Sequence, residues 1–369
     1  MSEEIKTTCL HDRHVALGAQ MSPFAGFDMP IQYSGIVEEH NAVRNACGVF
    51  DVSHMGEVFV EGDDAERFVN HIFTNDVAGM PVGKILYGMM LYDNGTTVDD
   101  LLVYRLEPKR FLLVINAANI DKDVEWILAR SRDDDYKIVI EHASDRFGQI
   151  AVQGPEAEAV LHDVLGIDGE ELAFYTSTTI FSDTGDEIIV SRTGYTGEDG
   201  FEIYASPAVI VAFWDELVGS GRALPCGLGC RDTLRFEVGL PLYGDELSAE
   251  ITPIEAGLGM FVKIDKAEFV GKEAVARQKA EGVSRKLVGL ELADRAIPRH
   301  GYQVLNLDGE PIGEVTTGYH AISVDKSVAM AFVKSDYSAL DTEVLIQIRR
   351  RTFLAKVVRK QFFKKSYKK

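Results

Sequence analysis

Two adjacent carboxylates at the head of an apolar run constrain this chain more than any other feature. The stretch is Asn94-Gly-Thr-Thr-Val-Asp-Asp-Leu-Leu-Val-Tyr104, a glycine-containing turn that runs through Asp99 and Asp100 into a strand-forming segment. Charges are normally kept out of such segments, because burying an ionised carboxylate without a partner is strongly unfavourable. Successive strand side chains point to opposite faces, so the two aspartates cannot share one site directly. One is expected to look into a pocket and the other away. Alternation alone does not say which, since both faces of the strand are otherwise apolar or aromatic.

The chain around this stretch has 369 residues, a mass of 40.8 kDa, 46% hydrophobic and 26% charged residues, and a net charge of −20. That length exceeds one ordinary core, so two or three domains are expected. The acidic balance argues against general nucleic-acid binding, which needs a basic surface. The first residues, Met1 to Lys6, have neither the apolar core of a signal peptide nor the Arg-rich character of a transit peptide, and no apolar run approaches a membrane span. A cytoplasmic protein without membrane or nucleic-acid partners is the expectation. Cys9, Cys47, Cys226 and Cys230 form no paired Cys-x-x-Cys ligand set. Cys226 and Cys230 invite a metal or redox reading, but small buried apolar residues are the commoner use of free cysteine. No metal is expected.

Read in order, Glu3 to Leu17 suggests a helical lead-in, and Ile36 to Ala46 a helix with several polar positions. A strand follows at Glu57 to Glu61, and then a helix capped by Gly62-Asp-Asp64 and running to about His71. Arg110 to Ile115 reads as a strand, and Asn119 as the N-cap of a helix over Asp121 to Arg130. Asp133 to Asp135 reads as a solvated turn. Strands are expected at Phe147 to Val152, Glu187 to Arg192 and Phe201 to Tyr204. The last two flank Thr193-Gly-Tyr-Thr-Gly-Glu-Asp-Gly200, whose three glycines suggest unusual backbone angles or close approach of a ligand. A helix carries Trp214, and Ala267 to Lys279 looks helical. From about Arg285, short apolar strands alternate with Gly, Pro and Asp turns, the pattern of an all-β domain. The elements do not alternate as βαβ units, so an α+β class with mixed or antiparallel sheets is preferred to a doubly wound one.

Familiar chemistries are missing. There is no Gly-x-x-x-x-Gly-Lys-Ser/Thr phosphate loop, no Gly-x-Ser-x-Gly elbow and no His-x-x-x-His pair. His11, His14, His54 and His71 read as surface or hydrogen-bonded structural residues. What remains is a set of polar residues in or beside turns: the Asp pair, Tyr87, Asn116, Tyr195, Glu202 and Arg231. Singly, each has an ordinary explanation. An Asp beside a turn is usually a turn former, Tyr195 could anchor its loop, Glu202 could face solvent, and Arg231 with Asp232 could be a surface ion pair of little worth.

Taken together, the strings have a family likeness. Phe50-Asp-Val-Ser-His-Met-Gly56, Val98-Asp-Asp-Leu101, Asn116-Ala-Ala-Asn119, Arg192-Thr-Gly-Tyr-Thr-Gly-Glu-Asp-Gly-Phe-Glu202, Gly227-Leu-Gly-Cys-Arg-Asp-Thr-Leu-Arg235 and Leu242-Tyr-Gly244 closely resemble the T protein of the glycine cleavage system. The resemblance continues through Thr252-Pro-Ile-Glu-Ala-Gly-Leu-Gly259 and Phe269-Val-Gly-Lys-Glu273, in family order over nearly the whole chain. It implies a tetrahydrofolate-dependent aminomethyltransferase. Such an enzyme moves the methylene of an aminomethyl group from the dihydrolipoyl arm of the carrier H protein to tetrahydrofolate and releases ammonia. It also implies three domains in a cloverleaf around a central folate cavity. The first α+β domain would be discontinuous (1–55 plus 145–245), the second (56–144) would carry the Asp pair, and a connecting segment (246–284) would lead to a jelly-roll-like C-terminal β-barrel (285–369).

The same resemblance assigns roles. Asp100 would be the catalytic carboxylate near the folate N5, with Asp99 structural. Glu202 would accept the paired pterin N–H donors, and Arg231 would meet a folate oxygen through its rigid fork. Tyr87, Asn116, Tyr195 and Tyr367 would complete the folate pocket, and Arg299 would lie near the lipoyl entrance. Three departures stand out: Gly95-Thr96 replaces the usual Gly-Gly, cysteines occupy positions 226 and 230 where alanine is commoner, and the tail has Gln361-Phe-Phe-Lys364 in place of Pro-Phe-Tyr. The basic segment Arg349 to Lys369 could steer an acidic carrier or be a solvated strand edge. Competing readings are a folate-dependent demethylase of the same fold and a folate-binding protein of iron–sulfur assembly. The latter's Lys-Gly-Cys-Tyr-x-Gly-Gln-Glu motif is absent.

Overall fold

The computed structural model describes residues 5–368. It is a mixed α+β protein with three large sheets and one hairpin. A five-stranded antiparallel sheet has the order Ile85–Leu91, Thr97–Glu107, Arg110–Ile115, Gly56–Gly62, Ile138–His142. A six-stranded sheet has the order Ser177–Phe181, Glu187–Ser191, Gly200–Ala205, Gly148–Gln153, Gly48–Asp51, Leu224–Cys226, and only its last pair is parallel. The third sheet closes on itself. Its order is Arg285–Leu292, Lys326–Lys334, Pro311–Ala321, Gln303–Leu305, Glu343–Ile348, Arg351–Val358. Closure removes the exposed edges that strand-rich domains must otherwise protect. The C-terminal β-barrel that the resemblance implied is present as a single six-stranded closed sheet.

Each sheet has one face built for a helix or a neighbour. Helix Pro207–Gly219 places Ile210, Trp214 and Leu217 on one stripe, all buried against the six-stranded sheet beside Val49, Ile203 and Phe201. Truncating Trp214 there is expected to cost about 3–5 kcal/mol. The opposite face of that sheet meets the five-stranded sheet through Phe59, Tyr104, Leu112, Phe147, Ile189 and Tyr204. The hydroxyls of Tyr104 and Tyr204 lie 2.8 Å apart in this layer, which satisfies polar groups that burial would otherwise penalise.

Local expectations needed several corrections. The lead-in is a short helix, His11–Ala16, preceded by a bridge from Lys6 to Phe27; its first two residues, Glu3 and Glu4, lie outside the described residues, as do Met1 to Ser2 and Lys369. The helix expected at Ala267 to Lys279 begins only at Lys272 and runs to Glu281, because Gly271 in a left-handed conformation starts it. Asn119 occupies the N-cap position of helix Ile120–Arg130 but makes no capping bond with its side chain, which goes instead to Asp99. Among the described residues no helix is long and apolar enough to cross a membrane.

Candidate active site

Strand Thr97–Glu107 separates its two carboxylates. Asp99 is fully buried and lies on the same face as Leu101 and Val103, which pack with helix Ala65–Ile72. Asp100 lies on the face of Leu102 and Tyr104, toward the six-stranded sheet. The turn before the pair works with one glycine: Gly95 has φ of 84°, and Asn94 Oδ1 accepts from both the Thr96 amide (3.0 Å) and the Thr96 hydroxyl (2.7 Å). Thr96 therefore locks the turn through Asn94 where a second glycine would leave it loose.

Both Asp100 oxygens have donors. The Tyr87 hydroxyl donates to Oδ2 at 2.8 Å and the Asn116 amide to Oδ1 at 3.0 Å. Burial, and then the charge of Asp99, push the Asp100 carboxyl up to about 7, which the two donors oppose. A carboxyl so poised exchanges a proton near neutral pH.

Glu202 stands on strand Gly200–Ala205 of the six-stranded sheet, and its charge and that of Asp100 both reach Tyr175. Glu202 is 5% exposed and accepts from Thr193 Oγ1 at 2.6 Å and Gln149 Nε2 at 3.3 Å. It is not the outward-facing strand residue that base rates favour, and burial raises its carboxyl above the ordinary range. A carboxylate offers about four acceptor positions, so one hydroxyl and one amide donor do not exhaust it. Arg231 projects from helix Leu228–Glu237. Its guanidinium lies 4.8 Å from the Tyr195 ring centre, and its Nη1 is buried without a hydrogen-bond partner. It is no surface ion pair: burial lowers its pKa, against the pull of Glu202. Helix Leu228–Glu237 can start where it does because Gly227 passes the backbone of Ile31, where an added Cβ would sit 2.3 Å from the carbonyl.

The remaining expected residues spread outward from this centre. The Tyr195 hydroxyl donates to the Pro241 carbonyl. Asn116 uses its amide nitrogen on Asp99 and Asp100, which leaves its side-chain oxygen free. Tyr367 stacks on Phe174 with ring centres 4.1 Å apart. Arg299 is exposed, 5.7 Å from the Tyr319 ring on the barrel, and apart from the carboxylates.

Residues 10–266 match the family described as GCVT N-terminal domain, and residues 285–364 match the glycine cleavage T-protein C-terminal barrel domain. The chain belongs to the glycine cleavage T-protein family. It is 46% identical to an aminomethyltransferase of Lysinibacillus sphaericus (strain C3-41), over 99% of this chain and 100% of the relative. A second aminomethyltransferase, from Alkaliphilus oremlandii (strain OhILAs), is 47% identical with the same coverage. The crystal structure of glycine cleavage system aminomethyltransferase T from Bartonella henselae superposes with a TM-score of 0.94 at 34% identity, over 99% of this chain and 100% of that one. This protein is thus an aminomethyltransferase of the glycine cleavage system, a transferase of a family that uses tetrahydrofolate.

Within this T-protein fold, three residues assigned no site role by the sequence stand beside the candidate site's side chains. Tyr175, in a left-handed conformation (φ 63°), lies within electrostatic reach of both Asp100 and Glu202. His54 Nδ1 and Gln149 Oε1 are buried without partners, and burial drops the His54 imidazole to about 4, so it is neutral at physiological pH. Only the His54 motif carried a signal; the other two arrive by tertiary folding. Elsewhere, Glu39, Cys226 and Cys230 hold their ligand atoms within 4.8 Å of one another. Glu39 is already clasped by the backbone amides of Tyr33, Gly35 and Gly227 at 2.6–3.1 Å. Both cysteines are buried with Val43, Phe50 and Leu234, the environment of inert packing thiols.

Proposed function

We propose that the space between Asp100 and Glu202 is the tetrahydrofolate site, and that Asp100 is the catalytic carboxylate of methylene transfer. Tetrahydrofolate, as one-carbon acceptor, supplies the nucleophilic N5. The observation that carries this reading is the pairing of a buried carboxylate, Glu202, and a half-buried one, Asp100, with orphaned donors and acceptors. Glu202 accepts from Gln149, whose Oε1 is unpaired among the described residues, as are Arg231 Nη1 and His54 Nδ1, and Asp100 is gripped by Tyr87 and Asn116. Buried polar atoms are rarely left unpaired unless a ligand completes them. Glu202 has the acceptor geometry for the side-by-side N–H donors of a pterin. Arg231 offers one free N–H toward a folate oxygen. Tyr195 supports Arg231 from beneath, and Tyr87 and Asn116 orient Asp100.

Asp100 then aims its charge at the attacking nitrogen and stabilises the positive charge that develops as ammonia leaves. The incoming aminomethyl group would ride on the lipoyl arm of the H protein, with Arg299 at the entrance and Tyr367 bordering the pocket. The three sheets and their connecting segment are read as domains 1–55 plus 145–245, 56–144, 246–284 and 285–369, in a cloverleaf around this cavity. The test is formation of methylenetetrahydrofolate from aminomethyl-loaded H protein, with and without tetrahydrofolate. Full turnover by Asp100→Asn would remove Asp100 from the reaction.

A further inference from the structure

A second fully buried aspartate stands behind the pair. Asp123 lies in the first turns of helix Ile120–Arg130, is 0% exposed, and faces Asp99 within hydrogen-bonding reach. Asp99, also 0% exposed, collects every nearby N–H. The Asn116 amide donates to its Oδ2 at 2.9 Å, the Asn116 side chain to Oδ1 at 2.9 Å, and the Asn119 side chain to Oδ1 at 2.7 Å. Neither Asp123 oxygen has a hydrogen-bond partner. Lys122 approaches one of them at 3.0 Å, but its ammonium is directed to the Val98 carbonyl and lies over the Tyr243 ring, 4.8 Å from its centre.

Two facing carboxylates in a dry interior cannot both ionise at neutral pH, so one keeps a proton. The donor count decides which. Asp99 has three N–H donors that favour its charged form, whereas Asp123 has only the Lys122 ammonium at 3.0 Å, which it shares with the Val98 carbonyl. Burial, followed by the charge of Asp99, pushes Asp123 up to about 10, in agreement with that count.

We propose that Asp123 is a positioning residue of the transfer reaction, donating its carboxyl proton to Asp99 and so fixing the Asp99–Asn116 frame that orients Asp100. The inference rests on the reading of Asp100 given above. The frame is continuous: Asn116 Nδ2 bridges Asp99 Oδ1 and Asp100 Oδ1 at 2.9 and 3.0 Å, and also meets the Asp100 carbonyl at 3.0 Å. Without the Asp123 proton, Asp99 carries its full charge against Asp100 and loses the donor that fixes the orientation of its carboxylate. The charged and titratable groups facing this frame are Asp99 and Asp100 from the strand, Lys122 from the helix, Tyr243 beyond Lys122, and Tyr87, Tyr175 and Tyr195 around Asp100.

The test is the pH dependence of kcat for the full-length enzyme with saturating H protein and tetrahydrofolate, comparing wild type, Asp123→Ala, Asp123→Asn and Asp100→Asn. Asp123→Ala should move the midpoint attributed to Asp100 upward by about 0.5–1 pH unit and lower kcat more than it raises KM. Asp123→Asn keeps a neutral donor and should restore the wild-type midpoint. An unmoved midpoint in Asp123→Ala overturns the proposal. So does a downward shift in Asp123→Asn, which would mean that a negative charge had been removed. If Asp123→Ala does not fold, infrared difference spectra at pH 8 decide the matter. A protonated-carboxyl band present in wild type and Asp100→Asn and lost in Asp123→Asn supports the proposal, and its absence from wild type overturns it. Normal turnover by Asp100→Asn would instead defeat the reading of Asp100, while the infrared band still reports on Asp123.

Discussion

Arg231 and Arg235 lie one turn apart on helix Leu228–Glu237, and the protein treats them in opposite ways. Arg235 is 1% exposed and fully partnered. It bonds Glu246 at 2.8 Å, Asp232 at 2.7 Å and the Leu240 carbonyl at 3.2 Å. Glu246 in turn accepts from Thr316 and Thr317 of the barrel, at 2.6 and 2.7 Å, so this ion pair ties the helix to the C-terminal domain. Arg231 keeps a buried N–H without a partner among the described residues and lies in Glu202's field beside the Tyr195 ring. A satisfied buried charge closes an interface, whereas an unsatisfied one waits for a ligand. The contrast separates framework from site without reference to any relative.

The sharpest break of this contrast is on the site side. Asp100→Asn should lower methylene transfer by about 10²–10⁴-fold with tetrahydrofolate binding kept, measured by turnover and calorimetry in parallel. The same variant has a stability signature. Asp100 titrates at about 7 in the folded chain against an ordinary 3.8, so the unfolded chain ionises first and wild-type stability falls as pH rises between those values. The melting-temperature advantage of Asp100→Asn should grow from about pH 4 to 7 and stay flat above. A constant gap would mean that the carboxyl is not buried as described.

On the framework side, Glu246→Ala strands Arg235 and should cost about 3–5 kcal/mol in urea unfolding, with folate affinity of the folded protein unchanged. Loss of affinity without loss of stability would reverse the assignment of the two arginines. On the assignment proposed above, Glu202→Ala should do the opposite, weakening tetrahydrofolate binding by about 1–3 kcal/mol as pterin donors lose an acceptor. Unchanged affinity by calorimetry would exclude it from the pocket. The smallest effect is expected from the tail. Lys360 donates to the Ala256 carbonyl and Lys368 pairs with Glu158, which leaves Arg351, Lys356, Arg359 and Lys364 exposed. Reversing Arg359 and Lys364 should raise KM for the H protein a few-fold at low salt, and less at high salt. A KM insensitive to both would restrict the tail to a structural role.

Much of the architecture was legible in the chain itself. Apolar runs bounded by turns marked several of the strands, Ile36 to Ala46 read as the helix that forms over Ile36–Asn45, and the ordered motifs identified the family. A boundary failed where a glycine had another use, at Gly271, and at Asn119 the N-cap position held while its capping bond did not form. Asn119 shows why: its capping chemistry is sound locally, but a buried Asp99 from another strand competes for the same amide and wins. Tyr175 and Gln149 could not be found, because nothing near them in sequence distinguishes a pocket-facing position from a core one.

The opening pair divides along the same line. The sequence determined that two carboxylates must occupy opposite faces of one strand, since side chains alternate along any extended backbone. Only the tertiary structure decided that Asp100 faces the other sheet while Asp99 faces the helices. Strand alternation is local, whereas what covers each face comes from Phe59, Tyr204, Asn119 and Asp123, which are distant in the chain. Burial and partners, rather than residue type, then set Asp99 apart from Asp100, and Arg235 from Arg231.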